Sequence, residues 1–220
     1  MRGSSHRTVP RNVAVTGSVT PVMVAFRLNY DYRCPWTAIV HDTVLDGLEA
    51  GADWDVRFEP FSLGQVHVPD GGVPIWDRPE DDSGLEALQV SVIVRDDHPD
   101  AFRAVHRDLF ALRHHRGEQL DRPHIDTVLA DAGLDPSTIW PRVDDGSALA
   151  VVRDEHTLQV KDHEVWGVPT FMIGDRAVFI RFMERSDGNG RLAIERVEQV
   201  LTLIQHDANL NEFKHTSLEH

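Results

Sequence analysis

Asp31-Tyr32-Arg33-Cys34-Pro35-Trp36-Thr37 is the stretch on which the reading of this chain turns. An apolar run at 22–28 precedes it and reads as a strand. Behind it, Ile39, Val40, Val44, Leu45 and Leu48 recur at spacings near three and four, the mark of an amphipathic helix. The one cysteine of the chain therefore stands where a strand hands over to a helix. Pro35 has no amide hydrogen to lose, and its fixed φ suits a helix's first turn. That leaves Cys34 near the N-cap, where free amides and the helix dipole favour a thiolate over a thiol. A lone cysteine is more often an inert, buried small hydrophobe; the strand–Cys-Pro-Trp–helix setting is what points to a nucleophile instead.

Working outward, the helix at 36–50 is closed by Gly51 in a C-cap role. Residues 54–61 alternate apolar and polar side chains, which predicts a second strand. Strand, helix, strand at this spacing implies a right-handed parallel βαβ unit, and Pro60 limits how far the second strand can run. Phe61, Ser62 and Leu63 leave that strand near Cys34 and are candidate cleft residues. Residues 68–82 are rich in Pro, Gly and Asp and read as a surface loop in which Trp76 is an apolar anchor. Helices are predicted at 85–94, 100–116, 124–132, 136–143 and 147–164. Strands follow at 170–173 and 177–182, joined by Gly174-Asp175-Arg176 in a hairpin. A last helix at 192–204 completes the chain.

Cys34-Pro35-Trp36-Thr37 after a first strand, with Gly167-Val168-Pro169-Thr170-Phe171 far downstream, resembles the DsbA-like branch of the thioredoxin superfamily. That branch includes thiol–disulfide oxidoreductases, related oxidoreductases of polyketide pathways, and glutathione-dependent 2-hydroxychromene-2-carboxylate isomerases. The resemblance spans about residues 22–206. It implies an α/β thioredoxin-like fold, a central mixed sheet built from 22–66 and 165–206, carrying a loop and an all-helical insertion at 67–164. It also implies that Pro169 is cis and lies against the nucleophilic sulfur, with the Val168 backbone and Thr170 beside the bound thiol. By the same resemblance Pro35, Trp36, Phe61 and Ser62 border the substrate.

One departure from the family's redox members is decisive for chemistry: Thr37 stands where they carry a second cysteine. A Cys-X-X-Cys enzyme uses that second thiol to resolve its mixed disulfide. Threonine cannot do so, although its hydroxyl could hydrogen-bond the Cys34 sulfur from one helical turn away. The expectation is a single-cysteine exchange enzyme resolved by an external thiol, with glutathione or mycothiol as co-substrate and no covalently bound cofactor. A thiol-cofactor isomerase or transferase, in which serine usually replaces the cysteine, is the second reading, and a non-catalytic binding protein the third. Retention of Cys34 favours the first.

Two further groups bear on the thiol. His163 ends a long helix just before the Val-Pro motif and could approach the thiolate. Asp31, three residues before Cys34, would oppose thiolate formation if close and ionised, or could relay a proton. His106, His114, His115 and His124 lack metal-ligand spacing and read as a solvated helix face.

The formal charge of −14 over 220 residues argues against nucleic acid and anionic membrane surfaces as partners. The expected partner is a small thiol or a thiol-bearing substrate; a homodimer is compatible with the sequence. Residues 1–21 read as a vector-derived leader without an apolar signal core, and the tail at 207–220 ends in what looks like a tag remnant. One cysteine cannot form an internal disulfide, so the cytoplasm is the default location.

Overall fold

The computed structural model describes residues 23–215; the leader reading, the first residue of the expected first strand and the tag-like end lie outside the described residues. Strand β1 (Val24–Tyr30) leads through a short turn into helix α1 (Pro35–Glu49), and β2 (Trp54–Pro60) returns beside β1 in parallel register, Val24 opposite Trp54 and Tyr30 opposite Pro60. The chain leaves α1 through Gly51 at φ +89°, a backbone that glycine adopts without strain. Helix α2 (Leu63–Val66) is a single turn, too short to show a periodicity, and the loop after it contains two 3-10 turns, Ile75–Asp77 and Pro79–Asp81.

The insertion is five helices: α3 (Leu85–Asp97), α4 (Pro99–His114), α5 (Arg122–Asp131), α6 (Pro136–Asp144) and α7 (Ser147–His163). Pro99 and Pro136 begin α4 and α6 where a missing amide costs nothing. Asp121 and Asp135 cap α5 and α6 by accepting from the amides of His124 and Ser137. Strands β3 (Thr170–Ile173) and β4 (Arg176–Phe179) form the hairpin, and α8 (Gly190–His206) closes the chain. β4 ends three residues earlier than the sequence suggests, although the Ile180 amide still donates to the Pro169 carbonyl.

The sheet order is β2-β1-β3-β4, with β3 antiparallel to both neighbours. This is the thioredoxin-like arrangement expected from the sequence. On β1, Phe26, Leu28 and Tyr30 point to the face covered by α1; Phe26 stacks on Phe171 of β3, and Tyr30 lies edge-on to His41 of α1. Arg27 and Asn29 point to the other face, where α7 supplies His163 and Gln159. The main core runs without a break from the sheet into α3–α6, while a smaller apolar cluster lies around Cys34.

The reading of the α4 histidines as a solvated face is corrected. His106 is fully buried, stacked on Phe102 and hydrogen-bonded on both ring nitrogens. His114 is half-buried and bonds the Tyr32 carbonyl oxygen at 2.8 Å. His115 is exposed, and His124 sits at the surface against Asp121. The α4 positions 102, 105, 106, 109 and 110 share one helical face, so His106 is carried into the core by the same periodicity as its apolar neighbours.

Candidate active site

Cys34 is the N-cap of α1, with φ −86° and ψ 116°. Its amide donates to the Asp31 carbonyl at 3.0 Å, closing the turn that follows β1. No side chain caps the helix and no acidic residue occupies its first turn, so the positive end of the dipole faces Cys34 uncompensated. Pro35 is exposed at the first helical position. The sulfur lies in an apolar nest of Phe61, Val165, Val168 and Met172, with Trp36 and Leu63 packed against it. Cys34 is 8% exposed, and its Sγ–H donates to the Val168 carbonyl oxygen at 3.7 Å. The Val168–Pro169 peptide is cis. Thus β1–α1 and the start of β3, far apart in sequence, meet at the thiol.

Asn29 holds the second of these segments in place, and sequence reasoning missed it. Its Oδ1 accepts from the Thr170 amide at 2.6 Å, and its Nδ2 donates to the Gly167 carbonyl and to Gln159 Oε1. Gln159 Nε2 in turn donates to the Pro60 carbonyl at 3.0 Å. Thr170 is buried, with its hydroxyl on the Gly167 carbonyl, so both its polar groups are occupied within the loop. The available signal was a polar residue inside an otherwise apolar strand, which burial makes costly unless it is fully partnered.

Asp31 is no free proton relay. It is fully buried, and four N–H groups converge on its carboxylate: the amide, Nε and Nη2 of Arg33, and the amide of Leu63. Arg33 extends the bridge to Asp82 at 2.8 Å, where burial outweighs the arginine and holds the Asp82 carboxyl above its ordinary range. The bridge explains two glycines. A Cβ on Gly84 would stand 2.7 Å from Arg33 Nε, and one on Gly64 only 1.9 Å from Asp82 Oδ2. Ser62, expected at the cleft, is buried as the N-cap of α2: its hydroxyl accepts from the Gln65 amide and its own amide donates to His156 Nδ1.

His163 does not approach the thiol. It meets Arg27, midway along β1, with Nε2 2.5 Å from the guanidinium, whereas Cys34 lies beyond the strand's end. The histidine nearer the site is His156, whose ring lies 4.2 Å from that of Phe61 and edge-on to Trp76. Burial lowers its pKa to about 4 against the pull of Asp31, so His156 is neutral at pH 7. Trp76 therefore pins the loop to the core.

A buried chain of hydrogen bonds anchors Tyr32, two residues before the cysteine. His41 Nε2 meets the Asn29 carbonyl at 3.0 Å, His41 Nδ1 meets His106 Nε2 at 2.7 Å, and His106 Nδ1 meets the Tyr32 hydroxyl at 2.7 Å. Because a carbonyl only accepts, His41 must donate from Nε2, His106 from Nε2, and Tyr32 from its hydroxyl. Burial pushes His41 down to about 3 and His106 well below its usual value, and raises Tyr32, so every member is neutral.

Thr37 is also fully buried, but its hydroxyl makes no hydrogen bond with any described atom. The expected bond to the sulfur is not formed. A thiol is a weak acceptor, and the Cys34 S–H is directed at Val168 instead. On the solvent side, Trp166 is 66% exposed and packs tilted against Phe179 at 4.6 Å between centroids. The Arg181 guanidinium lies 5.5 Å from the Trp36 ring and 5.9 Å from that of Phe179.

Residues 27–191 match the family model of the DSBA-like thioredoxin domain. No curated protein is significantly similar to the chain. Among solved structures, the chain resembles the thiol-disulfide exchange protein alpha-DsbA2 from Wolbachia pipientis at 15% identity and TM-score 0.56, covering 83% of this chain and 84% of that one. Proteus mirabilis ScsC in a compact conformation is similar at 18% identity and TM-score 0.55, with 84% and 85% covered. A periplasmic thioredoxin-like protein from Salmonella enterica serovar Typhimurium is similar at 18% identity and TM-score 0.54, with 79% and 83% covered. At these identities the likeness is one of fold.

Proposed function

Because the chain belongs to the DSBA-like thioredoxin-domain family, we propose that it is a thiol–disulfide exchange oxidoreductase working through Cys34 alone. The observation that carries this reading is the placement of the one cysteine. It is the uncapped N-cap of α1, against the Val168–Pro169 loop, with a threonine where a resolving thiol would stand. The Cys34 thiolate attacks one sulfur of a disulfide, forms a Cys34 mixed disulfide and expels the other sulfur as thiolate. An external small thiolate then attacks the mixed disulfide, forming a new disulfide and returning the Cys34 thiolate. Glutathione or mycothiol fits this co-substrate role, and a cytoplasm rich in such thiols is the setting it suits.

Individual roles follow from geometry. The amides of the first turn of α1 stabilise the thiolate, and Trp36 and Phe61 wall the sulfur. Asn29 positions the Val168–Pro169 loop through its bonds to Gly167 and Thr170.

The test is intact-mass analysis after treatment with an oxidised small thiol, paired with turnover assays on a glutathionylated peptide. Wild type should trap as a mixed disulfide and turn over only with added thiol, and Cys34→Ser should do neither. Thr37→Cys should form an internal disulfide, since both side chains then share one helical turn. Wild-type turnover indifferent to added thiol refutes the single-cysteine scheme. Activity retained in Cys34→Ser would move the reading to a thiol-cofactor isomerase.

A further inference from the structure

We infer that the Trp36–Arg181–Phe179 face beside Cys34 recognises a carboxylate on the small thiol or disulfide that the enzyme exchanges, one with an aromatic or apolar body. The inference rests on the exchange reading above and names its substrate class. Arg181 is half-buried, yet among the described residues no carboxylate lies within ion-pair distance of it. Of the other arginines held partly inside the protein, Arg33, Arg95, Arg107 and Arg185 lie on acids, while Arg176 and Arg196 donate to backbone carbonyls. Among the described residues the Arg181 guanidinium has neither an acid nor a hydrogen-bond acceptor, only the rings of Trp36 and Phe179, in a chain of formal charge −14.

The contacts of the Arg181 guanidinium are two rings, those of Trp36 and Phe179. A guanidinium so placed keeps the N–H donors of its edge available for a planar, two-point bond to a carboxylate. Its position ties this charge to the chemistry. Trp36 is in the first turn of α1 and packs on the cluster that contains Cys34, so an anion at Arg181 stands one side chain away from the sulfur. Trp166, exposed and tilted against Phe179, extends the same face with apolar surface.

The experiment compares two aromatic disulfides, dianionic dithiobis(nitrobenzoate) and neutral dithiodipyridine, reacting with the reduced protein. In each case a Cys34–S–S–aryl bond forms, the reagent's S–S bond breaks, and one aryl thiolate or thione leaves to be read by absorbance. Arg181→Gln should slow the dianion about ten-fold, as loss of a charge-assisted contact implies, and leave the neutral reagent within about two-fold. Arg181→Lys should fall between. Arg103→Gln, at an exposed arginine far along α4, should change neither. An equal loss with both reagents, no loss with the dianion, or the same loss in Arg103→Gln overturns the proposal.

Binding of nitrobenzoate against nitrobenzamide to Cys34→Ser, followed by NMR, separates this inference from the exchange reading. Preference for the carboxylate that vanishes in Arg181→Gln supports the site even if Cys34 proves unreactive. Equal binding of the two by both proteins refutes it even if Cys34 exchanges readily.

Discussion

Moving from pH 7 to pH 5.5 should weaken the fold by about 4 kcal/mol, and three buried imidazoles supply that figure. His41 is held at about 3 and His156 at about 4, while burial sets His106 well below its ordinary value. Each folded value lies below the 6.5 of an unfolded histidine. The unfolded chain therefore takes up protons that the native chain refuses. The contribution is fully present above the unfolded value and is lost as pH falls toward the folded ones. Across this interval each histidine contributes about 1.3 kcal/mol, and burial of His114 adds a smaller effect of the same sign. The raised carboxyls of Asp42, Glu59 and Asp82 act oppositely, binding protons first in the native state, which is why the comparison stops at pH 5.5. A loss of this size is a large share of the roughly 5–15 kcal/mol that holds a domain together. Urea denaturation at the two pH values, at one ionic strength, measures it. Stability equal or greater at pH 5.5, or a His41 imidazole that titrates near 6.5 by NMR, would refute the buried-neutral assignment.

Asn29→Leu should cost about 2–5 kcal/mol, because the Thr170 amide and Gln159 Oε1 each lose a buried partner; a change under about 1 kcal/mol in denaturation would mean the loop is held otherwise. The same variant should speed alkylation at Cys34, since it frees the Val168 loop that covers the sulfur. Thr37→Val removes a buried hydroxyl that satisfies nothing and should stabilise by up to about 1 kcal/mol; clear destabilisation would show that the hydroxyl has a partner in solution. Gly84→Ala drives a methyl into Arg33 and should cost about 1–3 kcal/mol, visible as a lower denaturation midpoint. His163→Gln should leave exchange at Cys34 unchanged; a marked loss would place that side chain at the thiol after all.

The thioredoxin-like order was legible because its signals are local and strong. Strand 54–61 alternates, α4 and α8 repeat apolar residues at helical spacing, and Pro35, Pro99 and Pro136 mark helix starts. The position of Cys34 at a helix N-terminus followed from the helical periodicity behind it together with Pro35. What failed to show was the identity of buried polar partners. Asp31 looks like a site residue in sequence because it precedes the motif, and Ser62 because it leaves the second strand near Cys34, yet their oxygens are occupied by backbone amides. His106 looked solvated because histidine is polar, although its spacing from Phe102, Leu109 and Phe110 put it on the apolar face. Asn29 and Arg181 were missed for the reverse reason. Each matters through residues more than a hundred positions away, and no local pattern encodes that.

The apolar nest around Cys34 is distinct from the main core, which has a consequence for how the sulfur becomes reachable. A thiol this covered cannot be struck in line by a disulfide without some yielding of its walls. Two of those walls, Val165 and Val168, sit in the connection between α7 and β3 rather than inside an element, and Leu63 sits in a one-turn helix. The sheet and the helical insertion share the larger core and need not loosen for these pieces to swing aside. Reactivity is thus governed by the free energy of a small, local opening and not by global unfolding. Substitutions that tighten the nest will protect the sulfur from attack even as they raise the melting temperature, so for this fold a firmer protein and a faster one are different engineering targets.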